Sequence, residues 1–154
     1  MIRKAQKRDL EAVNKLLLQV LMVHYEIRPD LYIPNTKKYT DDELLKIFEC
    51  ESTPVFVYDD GGVKGYAFCK LLDYSGFCNL VPIKSLYIDD LCVDESCRGE
   101  HIGTKLFEYV KAYAKELGCH SVTLNVWEGN ESAKTFYDKM GFGVQRTTRE
   151  IILD

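Results

Sequence analysis

Residues 86–113 read LYIDDLCVDESCRGEHIGTKLFEYVKAY, and three different patterns follow one another in them. Leu86, Ile88, Leu91 and Val93 supply the apolar, partly β-branched content of a strand, interrupted by Asp89 and Asp90. Strand side chains alternate, so the two carboxylates are expected on opposite faces. Asp94 to His101 is polar and bears Gly99, which ends the pattern and predicts a loop. From Ile102 onward Leu106, Phe107, Val110, Tyr113 and Ala114 recur at helical spacing. A strand, a loop with free backbone N–H groups and a helix N-terminus together make a site for phosphate. Gly99 and Gly103 remove side chains that would block an anion, and Arg98 adds a fixed charge with forked donors.

Two familiar phosphate loops fail against these residues. A Walker A loop needs four residues between its glycines and then Lys-Ser/Thr, whereas three separate Gly99 from Gly103 and Thr104 precedes Lys105. A dinucleotide fingerprint needs G-x-G-x-x-G, and no such spacing follows Val93.

On either side the chain reads as one domain. A length of 154 residues with 46% hydrophobic residues suffices for a single core. Met1 to Ala5 reads as a short strand, and Asp9 as the N-cap of a helix to about Val23 with Leu10, Val13, Leu16, Leu17, Val20 and Leu21 on one face. A segment with Pro29 and Pro34 follows, then a capping box from Thr40 to Glu43 opens a helix to about Cys50. Two strands around Asp59-Asp60-Gly61-Gly62 predict a hairpin, and a third strand runs from Ile83 to Val93. After the central helix Ser121 to Trp127 alternates as a strand, and Glu131 to Met140 forms a short helix closed by Gly141. Phe142 to Leu153 is expected to finish as strand, in one piece or two. The order is β-α-α-β-β-β-α-β-α-β, an α/β fold.

Composition narrows the partners. The net charge of −4 and pI near 5.4 give no basic field for nucleic acid. No apolar run is long enough for a membrane span. Six cysteines without paired spacing, and no apolar leader, predict a reduced cytoplasmic protein. His24 and His120 lack the spacing of a metal site, so no metal is expected.

The stretch L-x-V-D followed by R-G-x-x-I-G-T-K-L resembles the loop of the GNAT N-acetyltransferase superfamily, Gln/Arg-x-x-Gly-x-Gly/Ala. Arg98, Gly103 and the spacing match, while His101 stands where the middle glycine is usual. Asn130, Ala133, Phe136, Tyr137, Gly141 and Phe142 match the superfamily's N-x-x-A-x-x-F-Y-x-x-x-G-F frame without a gap. Physically, Asn130 caps that helix, Ala133 permits close approach, and Phe136 and Met140 face the core.

The resemblance implies a GNAT fold with a mixed sheet of six to seven strands and about four helices, one N-acetyltransferase domain over residues 1–154, and acetyl-CoA as cofactor. Backbone groups of Leu91, Cys92 and Val93 are then expected to pair with the pantetheine arm. The loop Arg98, Gly99, Glu100, His101, Ile102, Gly103 and Thr104, with Asn130, is expected to hold the rest. Tyr137 matches the general acid, Cys92 N–H the oxyanion donor, and Asp89 the base acting through water, with Asp90 as runner-up. His24, Tyr25, Glu26, Arg28 and Tyr32 are candidates for the acceptor wall. The activity implied is acetyl transfer to a primary amine of a small molecule. The alternatives are a protein N-terminal or lysine acetyltransferase, or a non-catalytic acyl-CoA sensor. Family members also often form homodimers.

Overall fold

The two apolar faces laid down by the sequence meet opposite sides of one twisted sheet in the computed structural model, which describes residues 1–154. In chain order the elements are β1 (Ile2–Lys4), α1 (Leu10–Ile27), α2 (Asp41–Glu49), β2 (Val55–Asp59), β3 (Val63–Asp73), β4 (Lys84–Val93), α3 (Ile102–Glu116), β5 (Ser121–Leu124) and α4 (Glu131–Lys139). The sheet has five strands in sequential order; β1 to β4 are antiparallel neighbours and β5 joins β4 in parallel. The helix α3 carries the chain across from β4 to β5, as a parallel pair requires.

One face is covered by α3, whose Ile102, Leu106, Phe107, Val110 and Ala114 pack on Phe56, Ala67, Cys69, Leu86 and Ile88. The other is covered by α1 and α2, with Val13, Leu16 and Leu44 against Val55, Val57, Tyr66, Phe68 and Cys92. No helix is long and apolar enough to cross a membrane. No three His, Cys, Asp or Glu side chains are grouped to hold a metal.

Several expectations are corrected. Asp9 is not the side-chain cap of α1. It accepts from Gln6 N–H at 2.7 Å within a single 3-10 turn and pairs with Arg3 at 2.8 Å, and Arg3 also holds Asp59. A buried Arg–carboxylate contact is stronger than a cap bond to solvent-facing amides. The helix α1 also runs a turn further than its apolar stripe requires, to Ile27, two residues before Pro29. The strand β5 stops at Leu124, short of Trp127. The residues from Phe142 to Leu153 form no strand, so the sheet has five strands where six or seven are expected. The β-branched content of that segment is a propensity, and a strand forms only where an edge supplies its hydrogen bonds.

The pairing of β3 with β4 skips one residue. Cys69 opposes Ile88 and Phe68 opposes Asp90, so Asp89 has no partner and forms a bulge. Before the bulge Leu86 and Ile88 face α3; after it Leu91 and Val93 do, while Asp90 and Cys92 face α1 and α2. The expectation that Asp89 and Asp90 point to opposite faces fails here. Both find their partners on the α1–α2 side, Asp89 in Lys38 at 3.2 Å and Asp90 in Tyr66 at 2.5 Å.

Candidate active site

The parallel pairing of β4 with β5 ends at Ile88 and Leu124. Beyond that point β4 continues to Val93 with β3 on one side and no strand on the other. Which backbone groups face the open side follows from one bond. Asp94 N–H donates to Lys64 O at 2.8 Å, and hydrogen-bonded and non-bonded pairs alternate in an antiparallel ladder. Cys92, opposite Tyr66, therefore spends its N–H and C=O on β3. Leu91 and Val93, opposite Ala67 and Gly65, turn theirs outward. Of the three expected pantetheine partners, two have free edge groups, and the Cys92 N–H is not available as an oxyanion donor.

The loop after β4 is fastened at its start and open at its end. Asp94 is buried and accepts from Ser96 N–H at 3.0 Å and Ser96 Oγ at 2.9 Å. These bonds hold its carboxyl below the usual range. Glu95 N–H donates to Gln19 of α1 at 3.1 Å. Arg98, Gly99, Glu100 and His101 are exposed, and Ile102 to Thr104 form the first turn of α3, whose N–H groups have no carbonyl inside the helix. His101 adopts a left-handed conformation with φ of +61°, which accounts for the glycine usual at that position. Gly103 has a packing reason of its own. A Cβ there would lie 3.3 Å from the ring of Phe136. Close approach of α3 and α4 is thus written into the first turn of α3. Asn130 caps α4 through Ala133 N–H at 3.3 Å, and Gly141 takes φ of +96° before Phe142 turns back onto Phe107.

Tyr137 lies between Phe136 and Phe142 with ring centroids at 5.3 and 5.6 Å. Burial, followed by the negative fields of Asp90 and Cys92, pushes its phenol well above the ordinary range. It is held neutral and proton-bearing. Asp90 is pushed up to about 6 by burial, against the opposing pull of its hydrogen bond from Tyr66 and of Lys38. Tyr66 is fully buried and raised in turn. The Cys92 thiol sits 3.7 Å from Leu16 O and is pushed up to about 12, chiefly by burial, which makes it a packing group and not a nucleophile. Asp89, at the bulge, is exposed beside Lys38.

The expected acceptor wall divides. His24, Arg28 and Tyr32 gather at the end of α1 around Trp127, a residue the sequence pattern leaves at a strand end. The Trp127 indole donates to Tyr32 Oη at 3.0 Å, Arg28 lies 5.3 Å from its ring, and His24 lies 5.3 Å from Tyr32. Burial, then Lys38, lowers the His24 pKa, favouring neutral imidazole. Arg28 is engaged by Asp30 at 2.7 Å and Glu150 at 2.5 Å. Glu26 instead lines a separate open groove with Gln19, Met22, Glu95 and Arg98. Tyr25 is half-buried and takes part in none of the aromatic pairs. A smaller pocket joins Lys38, Tyr39, Phe68, Cys69 and Asp89 on the bulge.

A split sheet, an anion loop opening the next helix, and a half-buried carboxyl near a half-buried phenol give the layout of an acyl-transfer enzyme. The chain belongs to the acetyltransferase (GNAT) family, whose sequence model matches residues 20–142. It is 27% identical over 145 residues to "Putative phosphinothricin acetyltransferase YwnH" of Bacillus subtilis, covering 92% of this chain and 82% of that protein. Among solved structures, the tetramutant of the BH1408 protein from Bacillus halodurans superposes with a TM-score of 0.94 at 31% identity, over 99% of each chain. An aminoglycoside acetyltransferase, meta-AAC0020 from an uncultured soil metagenomic sample, shares the fold at a TM-score of 0.75 and 19% identity, over 100% of this chain and 95% of that one. Members of the family generally use acetyl-CoA.

The residues fit such a group. The free edge of β4 offers outward N–H and C=O groups to an extended amide-bearing arm, and the exposed loop with Arg98 offers donors to a pyrophosphate.

Proposed function

We propose that this chain is one N-acetyltransferase domain, spanning residues 1–154, that transfers acetyl from acetyl-CoA directly to a primary amine of a small molecule. The observation that carries the reading is the free edge of β4 from Asp89 to Val93, with Asp90 and Tyr137 close to it. Acetyl-CoA, when bound, supplies the activated acetyl group. Leu91 and Val93 backbone groups would hold its arm, with Arg98 to Thr104 and Asn130 toward its phosphates. The Leu91 N–H replaces that of Cys92 as the donor offered to an oxygen that gathers negative charge, because the Cys92 amide is committed to β3.

Asp90, not Asp89, is assigned as the base that takes a proton from the ammonium form of the acceptor. A carboxylate with its pKa near 6 is mostly ionised at neutral pH and is a better proton acceptor than one near 4. Tyr137 holds its proton on Oη and donates it to the departing thiolate. A covalent step on Cys92 is not part of this scheme, since its thiol is kept protonated.

Two features support a small amine lacking a carboxylate. Arg28 already has both ends of its guanidinium paired with Asp30 and Glu150, leaving no fork for an acceptor carboxylate. The wall formed by His24, Tyr32 and Trp127 is aromatic and held together by its own bonds, so it suits a compact partner. Six free cysteines fit a reducing compartment, and a cytoplasmic location is proposed on that ground.

Calorimetric titration of acetyl-CoA, followed by thiol release with a panel of polyamines, aminoglycosides, amino acids and peptides, tests this reading. Micromolar binding with turnover of a small amine is the expected result. Turnover of peptides alone would assign a protein acetyltransferase, binding without any turnover a sensor, and failure to bind would remove the donor assignment. Gly103→Glu is expected to weaken binding at least tenfold, through charge repulsion and the contact with Phe136.

A further inference from the structure

The strand β3 buries a hydroxyl that packing does not need. Tyr66 has no exposed surface and shares its cluster with Val13, Leu16, Leu44, Val57 and Phe68. Its ring meets that of Phe68 edge-on, with centroids 4.9 Å apart, and Tyr39 in turn stacks on Phe68 at 6.3 Å. A phenylalanine would fill the place as Phe56 and Phe68 fill theirs, with no polar atom to satisfy. The hydroxyl therefore adds something other than volume. Its one hydrogen-bond partner is Asp90 Oδ2, at 2.5 Å.

The register explains how the two meet. Tyr66 lies opposite Cys92, and Asp90 stands two residues before Cys92 on β4, on the same face and diagonal to Tyr66. A phenol spans that diagonal, which a short hydroxyl side chain does not. Packing thus fixes the ring, the ring fixes the hydroxyl, and the hydroxyl fixes one carboxylate oxygen. Asp90 is only half-buried and its Oδ1 is bonded to no other side chain, so that oxygen is left for an acceptor.

No other titratable group around Asp90 is placed to orient it. Lys38, from the connection between α1 and α2, is bonded to Asp89 at 3.2 Å instead. Asp89 and Cys92 are its neighbours on β4, and Tyr137 of α4 senses its field without bonding to it. Burial pushes the Tyr66 phenol far up, so Tyr66 keeps its proton and serves the carboxylate as a donor.

We propose that Tyr66 is a positioning residue for acetyl transfer, gripping Asp90 Oδ2 so that Oδ1 faces the acceptor amine. The inference rests on Asp90 acting as the base. In that step the ammonium N–H bond breaks, an Oδ1–H bond forms, and the amine keeps the electron pair. The Tyr66 proton stays on Oη throughout, and Asp90 releases its own to solvent before the next turnover. The same bond favours the ionised carboxylate against the burial that opposes it, so one hydroxyl sets both the direction and the pH range of the base.

The test is Tyr66→Phe, which keeps the ring and its packing, so circular dichroism and acetyl-CoA affinity should match those of the native chain. With the amine that the thiol-release panel identifies, kcat should fall about tenfold. The acid limb of kcat/KM should move up by about one pH unit, as expected for losing one hydrogen bond to a charged group. In an Asp90→Asn background the same substitution should lower the rate no further, because it acts only through the carboxyl. Carbon-13 titration of the Asp90 carboxyl, which needs no substrate, should show the same upward move from about 6. An acid limb that stays in place in Tyr66→Phe while Asp90→Asn removes it overturns the positioning role and leaves Asp90 as the base. So does an equal loss of rate in both backgrounds, or a carboxyl shift with no change in rate. A limb that survives Asp90→Asn overturns the base assignment and this inference with it.

Discussion

The half of the molecule built on β1 to β4 and the half that follows α3 obey different rules. In the first, both faces of the sheet are covered, and Val13, Leu44, Val57, Tyr66, Ala67, Leu86, Leu106 and Val110 show no exposed surface. In the second, no residue after Ala114 is fully buried, β5 pairs on one side only, and the chain ends without pairing at all. Yet the second half supplies Tyr137, Trp127 and the open side of the cleft. The contrast teaches where each task is placed. Closed packing fixes β4 and its bulge, and a less completed half leaves room for ligands beside it.

If the closed half carries stability, Leu106→Ala should cost about 3 kcal/mol in denaturant unfolding, because Leu106 is sealed between α3 and the sheet. A loss below about 1 kcal/mol would break the comparison. If the open half carries chemistry, Tyr137→Phe should lower kcat about 100-fold with acetyl-CoA affinity and thermal midpoint nearly unchanged. An unaltered rate would remove Tyr137 as the acid. Asp90 sits on the boundary, and its variant separates the two roles. Asp90→Asn should reduce kcat about tenfold at pH 7 and abolish a limb on which the native rate falls as pH drops below about 6.

The same carboxyl has the opposite sign for folding. Its pKa is higher in the folded chain than the unfolded value of about 3.9, so the folded state binds the proton more tightly. Stability from this group is full below pH 4 and declines as pH rises through 6. Thermal scans of Asp90→Asn should lack that decline. The smallest effect is expected for Leu124→Ala, about 1 kcal/mol, since Leu124 is already half-exposed on β5. A cost matching that of Leu106→Ala would mean that the edge is covered in solution.

Much of this plan is legible in the residues. The loop from Asp94 to His101, the start of α3 at Ile102, the capping box of α2 and the whole Asn130–Phe142 frame are local patterns, and each sits where its spacing puts it. What escapes is whatever depends on pairing across long separations. The bulge is a one-residue mismatch between β3 and β4, and neither strand records it alone. Because alternation is assumed through it, Asp89 and Asp90 are expected on opposite faces, and the family resemblance alone gives Asp89 ahead of Asp90 as the base. Tyr66, which meets Asp90 from 24 positions away, gives no local signal, and neither does Trp127 against Tyr32 across 95. The final segment has the composition of a strand and lacks only an edge, which composition cannot supply.

The bulge at Asp89 has one more consequence, for chain length. Ahead of it the even-numbered residues Leu86 and Ile88 face α3, and past it the odd-numbered Leu91 and Val93 do. Asp89 is therefore an extra residue that the ladder steps around, so that Leu91 and Val93 stay on the face of Leu86 and Ile88. Replacing it with Asn should be mild, because its pair with Lys38 is exposed. Deleting it would leave Ile88 opposite Cys69 and Asp90 opposite Phe68 in a regular ladder, with Leu91 and Val93 still on the α3 face. Losing the position would cost the irregularity at the edge of the cleft and leave the packing of β4 in place.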